Sequence, residues 1–155
     1  MAAEPLIGTP LPAAGPLLGV DLGTKRVGIA SVNALGIVMP VGYFDAEPRA
    51  ALLRQIAAAA HDRQCAGIVV GLPINMDGSE GPAAKAARAF GAELAAASKL
   101  PVDFCDERLT SFEAEHKVSE LGLTRKKHKA RVDAVAAAGI LEAYLAERKD
   151  AENRR

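Results

Sequence analysis

Aromatic side chains are scarce: the 155 residues include no tryptophan, two tyrosines and four phenylalanines. A protein that holds single strands by stacking bases on exposed rings would need more of them. This counts against a purely nucleic-acid-binding assembly factor. An excess of one charge is lacking too, since 19 Lys+Arg balance 19 Asp+Glu. Tight, unselective polyanion binders are usually basic. Any grip on a phosphate backbone must therefore come from local patches, with modest, salt-sensitive affinity. Cysteine is limited to Cys65 and Cys105, whose separation matches neither a zinc site nor a redox pair. They read as reduced structural thiols of a cytosolic protein. Met1 to Gly15 lacks a basic start and is interrupted by Pro5, Pro10 and Pro12. It is expected to be neither a signal peptide nor a membrane span.

Half of the residues are hydrophobic, enough for the core of one compact domain. With few rings and much alanine, that core should be aliphatic with closely packed helices. Residues 1–16 read as a loose leader, 17–147 as the domain and 148–155 as a charged, fraying tail.

Leu17 to Asp21, Val27 to Val32 and Ile37 to Gly42 read as strands joined by short turns, hence an antiparallel meander. Apolar residues at Leu52, Leu53, Ile56, Ala59 and Ala60 predict a helix over Arg49 to Arg63. Gly67 to Gly71 reads as an interior strand. Pro82 to Ser98 reads as a helix with proline at its first position, and Val102 to Cys105 as a fifth strand. Thr110 and Glu113 fit a capping box for a helix reaching about Leu121, and Ala130 to Glu147 a last helix. The later strands alternate with helices and should pair in parallel. The fold class is therefore α/β: a mixed five-stranded sheet with helices on both faces.

Three acidic spots lie next to cations. Asp21 ends the first strand, ahead of Gly23 and of Lys25 and Arg26, which with Arg108 are expected to meet a phosphate backbone. Asp106 and Glu107 follow the fifth strand, ahead of Arg108. Neighbouring side chains of an extended segment point opposite ways, so only one of the two should face a site, and spacing does not choose between them. Asp133 shares a helical face with Ala136, Ala137, Ile140 and Tyr144. A carboxylate on such a face needs compensation, from a metal ion, a cap, the helix dipole or an arginine. Three carboxylates without histidine or cysteine suit Mg²⁺ or Mn²⁺, in a two-metal arrangement acting on a phosphodiester.

The Gly71–Gly81 loop leads into a helix, where free backbone N–H groups favour an anion. Asn75 and Ser79 are its candidate hydrogen-bonding residues. Arg125, Lys126, Lys127, Lys129 and Arg131 form a basic run before Asp133. It is read as a backbone-binding loop, with no role for His128. The Gly19–Thr24 stretch also looks like the first phosphate loop of actin-like ATPases. Those proteins need a second such loop and a much longer chain, and neither is here.

Four motifs occur in order: Asp21-Leu-Gly-Thr-Lys-Arg-Val-Gly28, Gly71-Leu-Pro-Ile-Asn-Met-Asp-Gly78, Asp106-Glu-Arg-Leu-Thr-Ser111 and Val132-Asp-Ala-Val-Ala-Ala137, the last followed by Ile140-Leu-Glu-Ala-Tyr144. Together they resemble the YqgF family of pre-16S rRNA nucleases, also described as Holliday junction resolvases of RNase H-like fold. The resemblance covers Leu17 to about Tyr144. It implies Asp21, Glu107 and Asp133 as metal ligands, choosing Glu107 over Asp106. It also implies cytoplasmic processing of the small-subunit rRNA precursor at its 5′ end, on a pre-ribosomal particle. Ser111 stands where the family often has threonine. A resolvase cutting branched DNA, which would require a two-fold dimer, and a non-catalytic assembly factor are the alternatives.

Overall fold

The computed structural model describes residues 7–12, 15–110 and 125–154, with the backbone alone for 125–130. Apart from Thr110, which caps the turn after the fifth strand, the predicted helix to about Leu121 lies outside the described residues. Five strands form one sheet: β1 (Leu17–Leu22), β2 (Arg26–Val32), β3 (Val38–Asp45), β4 (Gly67–Leu72) and β5 (Val102–Asp106). Their order is β3-β2-β1-β4-β5. The first three strands are antiparallel, and β4 joins β1 and β5 in parallel. Helices α1 (Arg49–Asp62) and α2 (Pro82–Ser98) cover one face, and α3 (Arg125–Asn153) covers the other.

Alternation along the strands assigns side chains to the two faces. In β1, Leu18 and Val20 enter the core under α1 and α2, while Leu17 packs under α3. In β4, Ile68 and Val70 face α1 and α2, and Val69 faces α3. Buried Leu52, Ile56, Ala59 and Ala60 repeat at helical spacing and dock α1. Each large side chain buried this way stabilises the fold by about 1.5–3 kcal/mol. Both cysteines are free and buried, and burial pushes their thiols up to about 11 for Cys65 and about 12 for Cys105. No helix among the described residues is long and apolar enough to cross a membrane.

Four boundaries depart from the sequence expectations. Strand β3 continues through Asp45, because Tyr43, Phe44 and Asp45 pair with Gly28, Val27 and Arg26 beyond a register shift at Ile29/Ala30. Helix α3 begins by Arg125, so the basic run read as a loop is helical. The same helix continues to Asn153, through most of the segment read as a fraying tail. The leader is docked where it is described. Ile7 bridges Val102, the Gly8 N–H donates to the Val102 carbonyl at 2.8 Å, and Leu11 is buried.

Tyr144 fastens this leader. Its hydroxyl accepts from the Leu11 N–H at 3.0 Å and donates to Asp103 Oδ2 at 2.7 Å. Tyr144→Phe should cost about 1–3 kcal/mol, by unpairing a backbone donor and a carboxylate. Hydrogen exchange at Leu11 should then speed up more than exchange in β1. Unchanged Leu11 protection would show that the leader is held by other contacts.

Candidate active site

Three glycines let α3 and the β5 terminus close over the ends of β1, β2 and β4. A Cβ on Gly28 would overlap the Asp133 carbonyl oxygen, so the missing side chain sets how closely α3 crosses β2. One on Gly19 would stand 2.6 Å from Leu141 Cγ, and one on Gly71 2.6 Å from Glu107 Oε1. Gly23 serves the turn between β1 and β2, where a Cβ would overlap the Arg26 carbonyl.

Asp21 lies on the α3 face of β1, at the strand end. Its carboxyl meets that of Glu107 at hydrogen-bonding range, and Asp133 adds negative potential. Burial first, then the charges of Glu107 and Asp133, push Asp21 up to about 7 from an ordinary 3.8. Burial also raises Glu107. The pair therefore retains a proton that isolated carboxylates would release, because two desolvated acids this close cannot both ionise cheaply.

Asp106 turns elsewhere. Its carboxylate accepts from the Arg108 backbone N–H at 2.9 Å and from Arg108 Nη2 at 2.7 Å, which holds it below the usual carboxylate range. A 3₁₀ turn over Glu107–Leu109 separates the two acids, with Asp106 as its cap. Spacing left Asp106 and Glu107 open, and here Glu107 is the one that reaches Asp21. Arg108 Nη1 also reaches the carbonyls of Asn75 and Met76, at 3.4 Å each. It thus ties the β5 end to the glycine-rich loop.

Asp133 is compensated by an arginine. Arg26 Nε donates to its Oδ2 at 2.7 Å, across 107 positions of sequence. The cap and first-turn explanations fail, since Asp133 is well inside a helix that begins by Arg125. Arg26, expected to meet a phosphate, is engaged with this acid and lies 6.0 Å from the Tyr43 ring centroid.

The remaining candidates are more dispersed. Lys25 and Arg131 are exposed, while the side chains of Arg125, Lys126, Lys127 and Lys129 lie outside the described residues. Asn75 and Ser79 are exposed and bond to one another, Nδ2 to Oγ at 3.0 Å. Ser79 also donates through Oγ to Asp77 Oδ1 at 2.6 Å. The loop is thus stapled by its own side chains. Sequence reading overlooked Thr24, Glu47 and Arg49, which line a cavity of about 420 Å³ beside Glu107. No local pattern signals them, because Thr24 lies in the β1–β2 turn and Glu47 and Arg49 at the start of α1, brought together only by the fold.

Among the described residues, no three histidine, cysteine or acidic side chains stand grouped to hold one ion. Asp21 and Glu107 form a close oxygen pair, and Asp133 sits beside them on Arg26. All the donors are oxygen, and the excess negative charge is partly relieved by a shared proton. That chemistry fits a hard divalent cation, which would replace the proton.

The chain resembles known proteins over most of its length. A family model described as "RuvX: Holliday junction resolvase" matches residues 15–147. A Rhodobacter capsulatus protein named "Putative pre-16S rRNA nuclease" is 44% identical over 136 residues, 87% of this chain and 86% of the relative. An Anaeromyxobacter protein of the same name is 46% identical over 129 residues, covering 83% and 94%. Among solved structures, Thermus thermophilus RuvC with a Holliday junction substrate superposes with TM-score 0.54 at 17% identity, covering 86% of this chain and 96% of that one. The fowlpox virus Holliday junction resolvase gives 0.51 at 11% identity, covering 85% and 98%. These two show a common RNase H-like fold. Relatives above 40% identity and a model spanning the whole sheet and α3 through Glu147 place this chain in the RuvX (YqgF) family of Holliday junction resolvases.

Proposed function

We propose that this chain is a divalent-metal-dependent nuclease that processes the 5′ end of precursor 16S rRNA in the cytoplasm, on a pre-ribosomal particle. One arrangement carries the reading: the Asp21 and Glu107 carboxyls come together at the sheet terminus, where burial and the negative charges of Glu107 and Asp133 raise Asp21. The names of the curated relatives supply the substrate.

Asp21 and Glu107 would hold Mg²⁺ or Mn²⁺, and Asp133 would complete the set. When bound, such an ion polarises a phosphoryl oxygen and makes its water a better nucleophile at neutral pH. Three carboxylates and the substrate's own oxygens offer enough ligands for two ions. Arg26 positions Asp133 through the 2.7 Å bond and keeps a cation at the site edge. Arg108 fixes the 75–76 carbonyls relative to β5, so the loop bearing Asn75 and Ser79 meets the backbone in one register. Lys25, Arg131 and the cations at 125, 126, 127 and 129 would supply local attraction for the strand. The latter five lie in the first turns of helix α3.

The test is cleavage of matched precursor-rRNA and DNA strands, and of four-way DNA junctions, with Mg²⁺, Mn²⁺ or excess EDTA. The expected result is metal-dependent cleavage of the RNA. Unchanged cleavage in EDTA would remove the mechanism. The family description favours one second reading, a resolvase acting on branched DNA. Paired junction cuts by a two-fold dimer, with intact RNA, would establish that alternative.

A further inference from the structure

A second feature opens beside the carboxylate pair, toward the α1/α2 face. It is a cavity of about 420 Å³ between the first turns of α1 and α2, with Glu107 as part of its wall. Its floor is apolar and buried, formed by Leu52, Ala87 and Phe90. Its rim is polar and exposed, formed by Thr24, Glu47 and Arg49. The guanidinium of Arg49 lies 5.1 Å from the Phe90 ring centroid, and its Nε donates to Glu93 Oε2 at 2.6 Å. One rim cation is therefore pinned against the aromatic floor. Besides Phe90, α2 contributes the methyl groups of Ala83, Ala86 and Ala87.

We propose that this cavity receives one unpaired nucleobase of the substrate strand, from a nucleotide adjoining the phosphate that is cut; the assignment rests on the nuclease reading above. The volume falls within the range of small-ligand pockets, roughly 300–1,000 Å³. Apolar walls with a few hydrogen-bonding groups at the mouth suit a planar heterocycle. Proteins that read single strands splay bases into such places and bond their edges. The Glu47 carboxylate is an acceptor only, so it favours bases that carry an exocyclic amino group over uracil. The Thr24 hydroxyl can donate or accept. Continuity with the reactive pair is the main argument. Because Glu107 both faces Asp21 and walls the cavity, a phosphate at the carboxylates puts its neighbouring base within reach. The site would help set where the strand is cut, a selectivity that backbone contacts alone do not supply.

The experiment walks a single abasic residue along a single-stranded RNA substrate and measures cleavage by wild type, Ala86→Phe and Ala86→Ser. Ala86 is exposed on the helix, so the phenylalanine fills the cavity without entering the core, and serine controls for the change of residue. The expected result is one abasic position that slows wild type tenfold or more. Ala86→Phe should cut the intact strand equally slowly, with no further loss at that abasic position, and Ala86→Ser should match wild type. Equal rates for Ala86→Phe and wild type on every strand would overturn the pocket and leave the nuclease reading standing. If wild type cuts nothing, the nuclease reading fails first. The same strands carrying 2-aminopurine then report on the cavity directly. A fluorescence change with wild type but not Ala86→Phe supports base capture, and no change with either overturns it.

Discussion

Asp21→Asn should abolish cleavage, by roughly 10³-fold or more, while making the metal-free protein more stable at pH 8. The first effect follows from losing an anionic oxygen that the metal reading requires. The second follows from the raised acid. Asp21 ionises near pH 7 in the folded chain instead of near 3.8, so folding favours its neutral form. That contribution is fully present below about pH 4 and is lost as pH climbs through 7. At pH 8 the ionised side chain then costs about 3–4 kcal/mol relative to a neutral one. Asparagine carries no such charge. Its melting temperature should exceed that of wild type by about 6–16 °C at pH 8 in EDTA, and the two should nearly coincide at pH 4. Saturating Mg²⁺ should reverse the order, because only wild type gains the ligand's stabilisation. A melting point that falls on mutation at pH 8 in EDTA would mean that Asp21 is a structural anchor. A variant with full activity would remove it from the chemistry.

Gly28→Ala is the second large effect, and it acts on geometry. The added methyl overlaps the carbonyl oxygen of Asp133, a helix backbone atom that cannot rotate away. Helix α3 must lift from β2 or the strand must bend, at a cost of about 2–4 kcal/mol. Lifting α3 also displaces Asp133 from Arg26. A shift of about 1 Å in a positioned catalytic group can cost about 100-fold in rate. Well below its lowered melting point, the variant should retain native far-UV circular dichroism and lose activity by that factor. Gly36→Ala is the control: unlike Gly28, Gly36 has open space around it, and its positive φ of 83° confines the strain to a hairpin turn far from the carboxylates. It should lose stability without a comparable loss in rate. Wild-type rates in Gly28→Ala would show that the approach of α3 does not set the site.

The sheet was legible because its strands are short apolar runs closed by glycine, proline or acidic residues. The mixed pairing followed from connection lengths alone. Strand β3 was cut short at Gly42, a residue with φ of 155° that reads as a stop, whereas pairing with β2 resumes past the bulge. The start of α3 was misread for a related reason. Arg125 to Arg131 has no apolar repeat, although its lysines, arginines and alanine are good helix formers. Hydrophobic periodicity outweighed propensity in the reading, and propensity was the better guide.

At the site, each acid stood out by its place at a strand end or on an apolar helix face. Their partners did not. Arg26 meets Asp133 over 107 positions, and only the approach permitted by Gly28 brings them together. Asp106 and Glu107 were indistinguishable by spacing, because the 3₁₀ turn that separates their directions depends on Arg108 bonding back to Asp106. The cavity beside Glu107 left no local trace at all, since its walls come from the β1–β2 turn, two helices and the β5 terminus.

The central claim is that Asp21 and Glu107 exchange their shared proton for a divalent cation. Anomalous diffraction from crystals of the wild-type protein grown with Mn²⁺ tests it most directly. The account predicts a manganese peak bonded to oxygens of both Asp21 and Glu107, absent from crystals of Asp21→Asn. Saturating Mn²⁺ with no peak between those two side chains would contradict it.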